Sequence, residues 1–112
     1  MEPTRQNKVA RLIQKDLGEI FLQLGKPALQ GRMVTVTIVR MSPDLSVAKV
    51  YLSVFPSEEK TEYLKHLKQY TKIIRNLLGQ RVRNQLRNVP ELAFFLDDSL
   101  DYVEKIDQLL KK

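Results

Sequence analysis

The side chains of this sequence that could do chemistry are its lysines and arginines, and many of them lie in one stretch. Between Tyr63 and Pro90 the chain contains no aspartate or glutamate. The basic residues of this stretch are Lys65, Lys68, Lys72, Arg75, Arg81, Arg83 and Arg87. Such side chains contact phosphate oxygens and release condensed counterions from RNA, and an arginine can grip two oxygens at once. The stretch therefore predicts a surface that binds a polyanion.

A solvated helix face with ordinary pairing between neighbouring charges is the alternative interpretation. That pairing needs carboxylates three or four residues away, and the stretch has none of its own. The formal net charge of +6 also favours a polyanionic partner. The polar side of the first predicted helix carries further cations that could extend the surface, namely Arg5, Lys8, Arg11 and Lys15.

Groups for catalysis or metal binding are scarce. The chain has no cysteine, which excludes thiolate zinc sites, and His66 is its one histidine. We interpret His66, placed between lysines, as a solvated or partner-facing side chain. The acidic cluster of residues 97–101 lacks the spacing of a calcium loop and is interpreted as charge at a helix N-terminus. We expect no enzymatic activity, no metal, no cofactor and no small-molecule substrate.

Location and partner class follow from the apolar pattern and the charge. No apolar segment approaches the ~20 residues of a membrane span, and the polar start lacks the core of a secretory signal, so we expect a cytoplasmic protein. Binding to a membrane surface through a basic amphipathic helix is one alternative, weakened because the apolar stripe of that helix must cover a sheet. An adaptor that docks on an acidic protein is another. Charge alone does not decide between them.

The elements that must position these residues follow from apolar periodicity. Residues 4–24 have the spacing of an amphipathic helix, which Gly25 and Pro27 should end. Residues 33–41 and 47–55 are rich in valine, threonine and isoleucine and predict a hairpin around a turn at residues 42–46. The predicted apolar pairs are Val34–Val54, Val36–Leu52 and Ile38–Val50, and the polar ones are Thr35–Ser53 and Thr37–Tyr51. On that polar face Tyr51 could stack on a base, although a tyrosine packed within the sheet is commoner.

A long helical region is predicted over residues 57–87, with Ser57 as its N-cap. One straight helix of that length would span about 45 Å, which is too long for so small a domain, so we expect a break at Gly79 or at residues 70–72. Pro90 should end the region, and residues 92–96 form a third strand. A final helix capped by Asp98 or Ser99 would carry Leu100, Val103, Ile106, Leu109 and Leu110. The predicted order is α-β-β-α-α-β-α, in one domain over residues 1–112.

Several short segments of the chain are similar to one known family. Residues 34–37, 41–46 and 48–54 in the hairpin, and residues 74–79, 87–94 and 97–99 downstream, resemble the ribosome-binding factor A family in order and spacing. The likeness runs from about residue 5 to residue 110. One departure is clear, because Tyr70, Thr71 and Lys72 stand where the family has a small residue, any residue and glycine at a helix kink.

The resemblance implies an α+β, KH-like fold of the second type, with a three-stranded sheet covered by helices on one face and a short C-terminal helix. It also implies a factor that binds the immature small (30S) ribosomal subunit, contacts 16S rRNA and assists late assembly, including 5′ end processing, above all in the cold. We expect a monomer that acts without catalysis. Arg75 and Arg87 lie within the matched segments, and Arg75 is expected to serve structure as well.

Overall fold

The computed structural model describes residues 3–97, and the secondary structure follows the predicted order with one addition. The elements are α1 (Pro3–Gln23), α2 (Lys26–Leu29), β1 (Met33–Met41), β2 (Val47–Phe55), α3 (Lys60–Lys68), α4 (Thr71–Val82) and β3 (Glu91–Leu96). The predicted C-terminal helix, with Leu100 to Leu110, lies outside the described residues. The additional element is α2, which the sequence did not predict. The first helix ends at Gln23, just before Gly25 and Pro27, as predicted. Pro27 itself lies in the first turn of α2, a position where its missing N–H costs nothing.

The hairpin of β1 and β2 has the predicted limits. Val34 lies opposite Val54 and Val36 opposite Leu52, in antiparallel register, as predicted. These four side chains are buried under the helices, because an alternating pattern turns every second residue of a strand to one face.

Beyond Val36 the predicted register is wrong. The register shifts between Val36 and Ile38, so that Ile38 lies opposite Tyr51 and Val39 lies opposite Val50. A β-bulge inserts one extra residue and exchanges the faces of all the residues that follow it. Val39 is therefore buried at 7% exposure, whereas Ile38, predicted to be in the core, is 40% exposed.

The third strand completes the sheet on the side away from β1. The strand order is β1-β2-β3, and β3 pairs with β2 in parallel. Parallel neighbours need a crossover connection, which α3 and α4 supply here. The helices cover one face, and the shared core of the described residues includes Ile13, Leu17, Ile20, Phe21, Val50, Leu52, Leu67, Ile74, Leu78, Val82 and Phe94. This is the α+β, KH-like arrangement of the second type.

The predicted long helix is two helices, and its predicted limits are wrong. Ser57 does not cap it, because the Arg32 guanidinium donates to the carbonyl oxygens of Pro56 and Glu58 at 2.6 and 2.7 Å and holds this segment as a loop. The first helix therefore begins at Lys60. The second ends at Val82 rather than near Arg87, since a turn follows it.

The break falls at one of the two predicted places. α3 ends at Lys68 and α4 begins at Thr71, while Gly79 lies inside α4. Tyr70 takes φ −97° and ψ 6°, and the Thr71 hydroxyl donates to the Lys68 carbonyl oxygen at 2.7 Å. The chain thus turns without a glycine, because a side-chain hydroxyl satisfies a carbonyl that the interrupted helix leaves free.

Candidate nucleic-acid interface

A hollow on the solvent side of α4 brings together three of the predicted arginines. It has a volume of about 530 Å³ and is lined by Arg75, Asn76, Gly79, Gln80, Arg83, Arg87, Asn88 and Val89. We call it the arginine hollow. Residues three or four apart share one face of a helix, which is why α4 contributes several of these side chains. No carboxylate is among these lining residues of the described chain, so the hollow is suited to an anion such as phosphate.

Gly79 allows the segment of Asn88 and Val89, which forms one wall of the hollow, to lie close to α4. A Cβ atom at this position would lie 3.2 Å from Cγ2 of Val89, closer than most side-chain contacts. The segment after α4 thus rests almost directly on the helix backbone. The sequence suggested Gly79 as a break in the helix, but its small size serves this close packing instead.

Arg75 fastens the same wall by hydrogen bonds. Its Nε donates to the carbonyl oxygen of Pro90 at 3.1 Å and its Nη2 to that of Val89 at 2.8 Å. The structural role expected for this arginine is thus present. The remaining N–H donors of the guanidinium are left for a ligand, and the group is held in place before any ligand arrives.

Arg81 is engaged elsewhere, on the side of α4 that faces α1. Nine residues at about 100° each place it about 180° around the helix from Lys72. Its Nη1 lies 3.4 Å from Oδ1 of Asp16 and also pairs with Oε2 of Glu19. The argument that the basic stretch has no carboxylates to pair with is therefore wrong for Arg81. The signal that could have found the pair is the placement of the two acids one turn apart on α1.

The lysines of α3 and α4 lie exposed around the helix break. Lys65 Nζ is 3.5 Å from Oε1 of Glu62, with both side chains 71% exposed, a weak surface pair that water and salt screen. Lys68 and Lys72 are exposed on either side of the break. Lys72 lies on the same stripe of α4 as Gly79 and Arg83, so it continues the cationic surface beyond the hollow.

The four basic residues of α1 belong to a different surface. Arg5, Lys8, Arg11 and Lys15 are all exposed. Arg11 and Lys15 line a groove between α1 and the edge strand β1. The arginine hollow opens on the side of α4 opposite to the contact with α1, so the structure does not merge these cations with it.

His66 is a packing residue, which corrects its interpretation as solvated. Its ring is half-buried, and Nε2 lies 2.6 Å from the carbonyl oxygen of Pro27. A carbonyl only accepts, so Nε2 carries the proton. The ring also meets those of Tyr63 and Tyr70, with centroids 6.0 and 5.4 Å away. His66 thereby joins α3 to α2 and does not line the arginine hollow.

Tyr63 completes this contact between α2 and α3. Its hydroxyl donates to the carbonyl oxygen of Ala28 at 2.8 Å, and the Arg32 guanidinium lies 5.0 Å from its ring centroid. Burial raises the pKa of the Tyr63 hydroxyl. This hydroxyl therefore remains a neutral donor and takes no part in the basic surface.

Two further properties of residues 3–97 bear on the class of site. No group of three or more His, Cys, Asp or Glu side chains in this part of the chain is placed to hold a metal ion. None of its helices is long and apolar enough to cross a bilayer.

The KH-like fold and the arginine-lined hollow define a small basic protein with a surface suited to anions. The family model described as "Ribosome-binding factor A" matches residues 5–110, and the chain belongs to this family. The ribosome-binding factor A of Cytophaga hutchinsonii is 49% identical over 112 residues, which cover 100% of this chain and 84% of that protein. That of Flavobacterium johnsoniae is 50% identical over 111 residues, which cover 98% of this chain and 85% of the relative.

Solved structures of the family agree with the fold. The crystal structure of ribosome-binding factor A from Thermus thermophilus superimposes with a TM-score of 0.69 at 28% identity, over 81% of this chain and 94% of that one. A homology model of the Thermus thermophilus factor, fitted into the cryo-EM map of a complex of the 30S subunit with that factor, gives a TM-score of 0.64 at 31% identity, over 80% of this chain and 91% of that one.

Proposed function

We propose that this protein binds the 16S rRNA of the maturing small ribosomal subunit, with the arginine hollow as the centre of its phosphate contacts. The observation that carries the proposal is the convergence of Arg75, Arg83 and Arg87 on one hollow without a lining carboxylate. Family membership supports it, as does the Thermus thermophilus relative that was fitted into a map of a 30S complex.

The hollow would hold a backbone phosphate in a prepared setting. The guanidinium groups of Arg83 and Arg87 can each donate two parallel hydrogen bonds to phosphate oxygens. The amides of Asn76, Gln80 and Asn88 line the same hollow and can satisfy the remaining oxygens. Because Arg75 is already held by two carbonyls, less side-chain entropy is lost when RNA binds.

The other cations would extend this contact along the RNA. Lys68 and Lys72 lie exposed at the helix break and can meet the phosphates that follow the one in the hollow. Lys65 stays available, because its pairing with Glu62 is weak. The α1 cations, Arg5, Lys8, Arg11 and Lys15, would contact a second backbone segment. Arg81 contributes long-range charge and holds α4 in place.

Binding of this kind favours one RNA arrangement over others without a covalent step. The polar side chains that line the hollow end in guanidinium and amide groups, which provide neither a nucleophile nor a general base at neutral pH. In our proposal the protein acts as a cytoplasmic monomer late in small-subunit assembly and assists 16S rRNA maturation, including processing of the 5′ end. Its contribution is largest in the cold, where incorrect RNA pairings separate slowly.

The salt dependence of binding tests the electrostatic basis of the proposal. If about 5 phosphates are neutralised, log affinity for isolated immature small subunits should fall with log salt at a slope between about −3 and −5. Equilibrium sedimentation of labelled protein with subunits at several salt concentrations gives this slope. A flat dependence would overturn the proposal.

A charge-matched pair of variants tests the location. Arg83→Glu and Lys26→Glu each replace one exposed cation by an anion, but only Arg83 lines the hollow. We expect Arg83→Glu to weaken binding at least ten-fold and to make the salt slope shallower, with Lys26→Glu near the wild type. Equal losses would show that net charge, and not the hollow, governs binding. Flotation with anionic liposomes in place of sedimentation with subunits would indicate a membrane-binding domain instead.

A further inference from the structure

The face of the sheet that the helices of residues 3–97 leave open carries a row of large apolar and aromatic side chains across all three strands. Ile38 of β1 lies opposite Tyr51 of β2, and Tyr51 lies opposite Phe95 of β3. The β-bulge creates this row, because it turns Ile38 outward. Ile38 and Phe95 are each 40% exposed, so the row presents apolar surface to solvent.

Two of these side chains form an aromatic platform. The rings of Tyr51 and Phe95 are stacked, with centroids 5.5 Å apart and an angle of 28° between their planes. The neighbouring core pair, Phe21 and Phe94, meets edge to face at 72° inside the protein. Each ring of a stacked pair covers one face of the other and leaves its outer face for a further ring, so a base can extend the stack at the half-exposed Phe95 end.

The next row along the same face is cationic. Arg40 of β1 lies opposite Lys49 of β2, and both are exposed. Like charges directly opposite each other on a sheet are unfavourable unless an anion lies between them. On the other side of Lys49 the partner in β3 is Ala93, whose small side chain leaves the lysine room to move toward a ligand.

Acidic residues lie at the margins of this face. Asp97 follows β3 and accepts a hydrogen bond from the Thr37 hydroxyl at 2.5 Å. Glu91 lies at the first position of β3, opposite Val47. A groove of about 830 Å³ is lined by Arg40, Lys49 and Tyr51 of this face, by Asp97 at its margin and by Asn7 of α1.

We propose that this open face, defined as the sheet patch of Ile38, Arg40, Lys49, Tyr51 and Phe95, binds unpaired nucleotides of single-stranded RNA. Bases stack on the Tyr51–Phe95 platform and on Ile38, while Arg40 and Lys49 contact the adjoining phosphates. The sheet patch lies across the protein from the helices, so it is distinct from the arginine hollow. Its assignment to RNA rests on the proposed function, since RNA supplies both the rings and the charge that the patch complements.

The test compares a single-stranded ribo-oligonucleotide of alternating C and A with an abasic strand of equal length, by fluorescence anisotropy. We expect wild-type protein to prefer the strand with bases about ten-fold, since stacking requires bases. The Tyr51→Leu, Phe95→Leu variant keeps apolar side chains at both positions and should lose that preference while its melting temperature stays close to that of the wild type. A variant that keeps the preference overturns the inference.

Ultraviolet cross-linking of wild-type protein to the same oligonucleotide gives a second reading that needs no variant. Cross-linked peptides that contain Tyr51 or Phe95 support the sheet patch, and cross-links confined to α3 and α4 overturn it. A Tyr51→Leu, Phe95→Leu variant that loses affinity for small subunits but keeps the preference for bases would show that the patch contacts a protein, which also overturns it.

The two proposals fail separately in these experiments. Arg83→Glu with Arg87→Glu should lower the affinity for both oligonucleotides alike and leave their ratio unchanged, because phosphates are present in both. Failure of small-subunit binding overturns the proposed function, whereas loss of the base preference in the wild type overturns only the sheet patch.

Discussion

The two sides of α4 hold arginine in opposite settings. On the side that faces α1, Arg81 is neutralised by Asp16 and Glu19, and its side chain is only 30% exposed. On the solvent side, Arg83 and Arg87 line a hollow without a lining carboxylate. Arg81 and Arg83 are two positions apart, yet one holds helices together and the other is available to a ligand. The difference shows that the direction of a side chain, more than the charge of a segment, decides what a cation does.

The largest expected effect comes from reversing the charges on the solvent side of α4. Arg83→Glu together with Arg87→Glu should lower affinity for immature small subunits about 100-fold or more, because two charge-assisted contacts become repulsive. Equilibrium binding at one fixed salt concentration measures this, and thermal melting should stay near that of the wild type. A large fall in melting temperature would mean that these arginines are structural, and the contrast between the two sides of α4 would be lost.

Arg75 lies on the solvent side of α4 and also holds the segment of Val89 and Pro90 in place. Its replacement should therefore lower both the affinity for small subunits and the stability of the fold. Arg75→Gln removes donors to Val89 and Pro90. We expect a loss of stability of about 1–3 kcal/mol and a fall in affinity of about ten-fold. Denaturant unfolding and subunit binding report the two effects. Arg75→Lys serves as the matched control, since it restores the charge but not the planar fork. If Arg75→Lys behaved like wild type, the fork would be unnecessary.

On the paired side the effect should appear in stability alone. Arg81→Gln removes the ion pairs with Asp16 and Glu19, whose screening by solvent limits the loss to roughly 1 kcal/mol. Affinity for small subunits should change less than three-fold at physiological salt, because this guanidinium does not line the hollow. Denaturant unfolding with parallel binding measurements checks both. A ten-fold loss of affinity in a protein of unchanged stability would place Arg81 in the interface and remove the contrast.

The smallest effect concerns the hairpin turn, which belongs to neither side of α4. Hydrogen bonds from the hydroxyls of Ser46 and Ser42 and from the Ser46 backbone lower the pKa of Asp44 from 3.8 to about 2. Folding therefore favours the carboxylate, and its contribution is fully present above pH 3.8 and disappears as pH falls to about 2. Asp44→Asn should be slightly less stable than wild type at pH 6, with a difference that vanishes near pH 2.

Unfolding curves at several pH values test this expectation. Binding at neutral pH should be unaffected, so Asp44→Asn also serves as a control for the variants of α4. A stability difference independent of pH would mean that the asparagine disturbs the turn by its shape and not by its charge.

The hairpin shows how far local reasoning extends. The limits of β1 and β2 and the pairs Val34–Val54 and Val36–Leu52 could be read from alternation, because a strand has period two and each residue reports its own face. The bulge at Thr37 could not be predicted, because the alternation of residue types in β1 is the same there as in a regular strand. The Thr37 hydroxyl instead donates to Asp97, which lies 60 residues away in the chain, and also lies 3.2 Å from the carbonyl oxygen of Tyr51.

The helices show the same division. A break near residues 70–72 was predictable because one helix of that length would exceed the domain. Its actual limits depend on Arg32, which holds the loop before α3 from a distant segment. His66 likewise could not be distinguished from a solvated side chain until α2, an unpredicted helix, placed the Pro27 carbonyl beside it.

The sequence by itself determined the order of the three strands and the three longer helices of residues 3–97, the family and the concentration of cations in one acid-free stretch. It could do so because periodicity, composition and motif spacing are properties of the chain as written. Only the tertiary structure decided which cations are free. Asp16 and Glu19 lie 65 and 62 residues from Arg81 in sequence and meet it through packing of α1 on α4. Contacts of that range arise from burying shared apolar faces, and a charge count along the chain does not contain them.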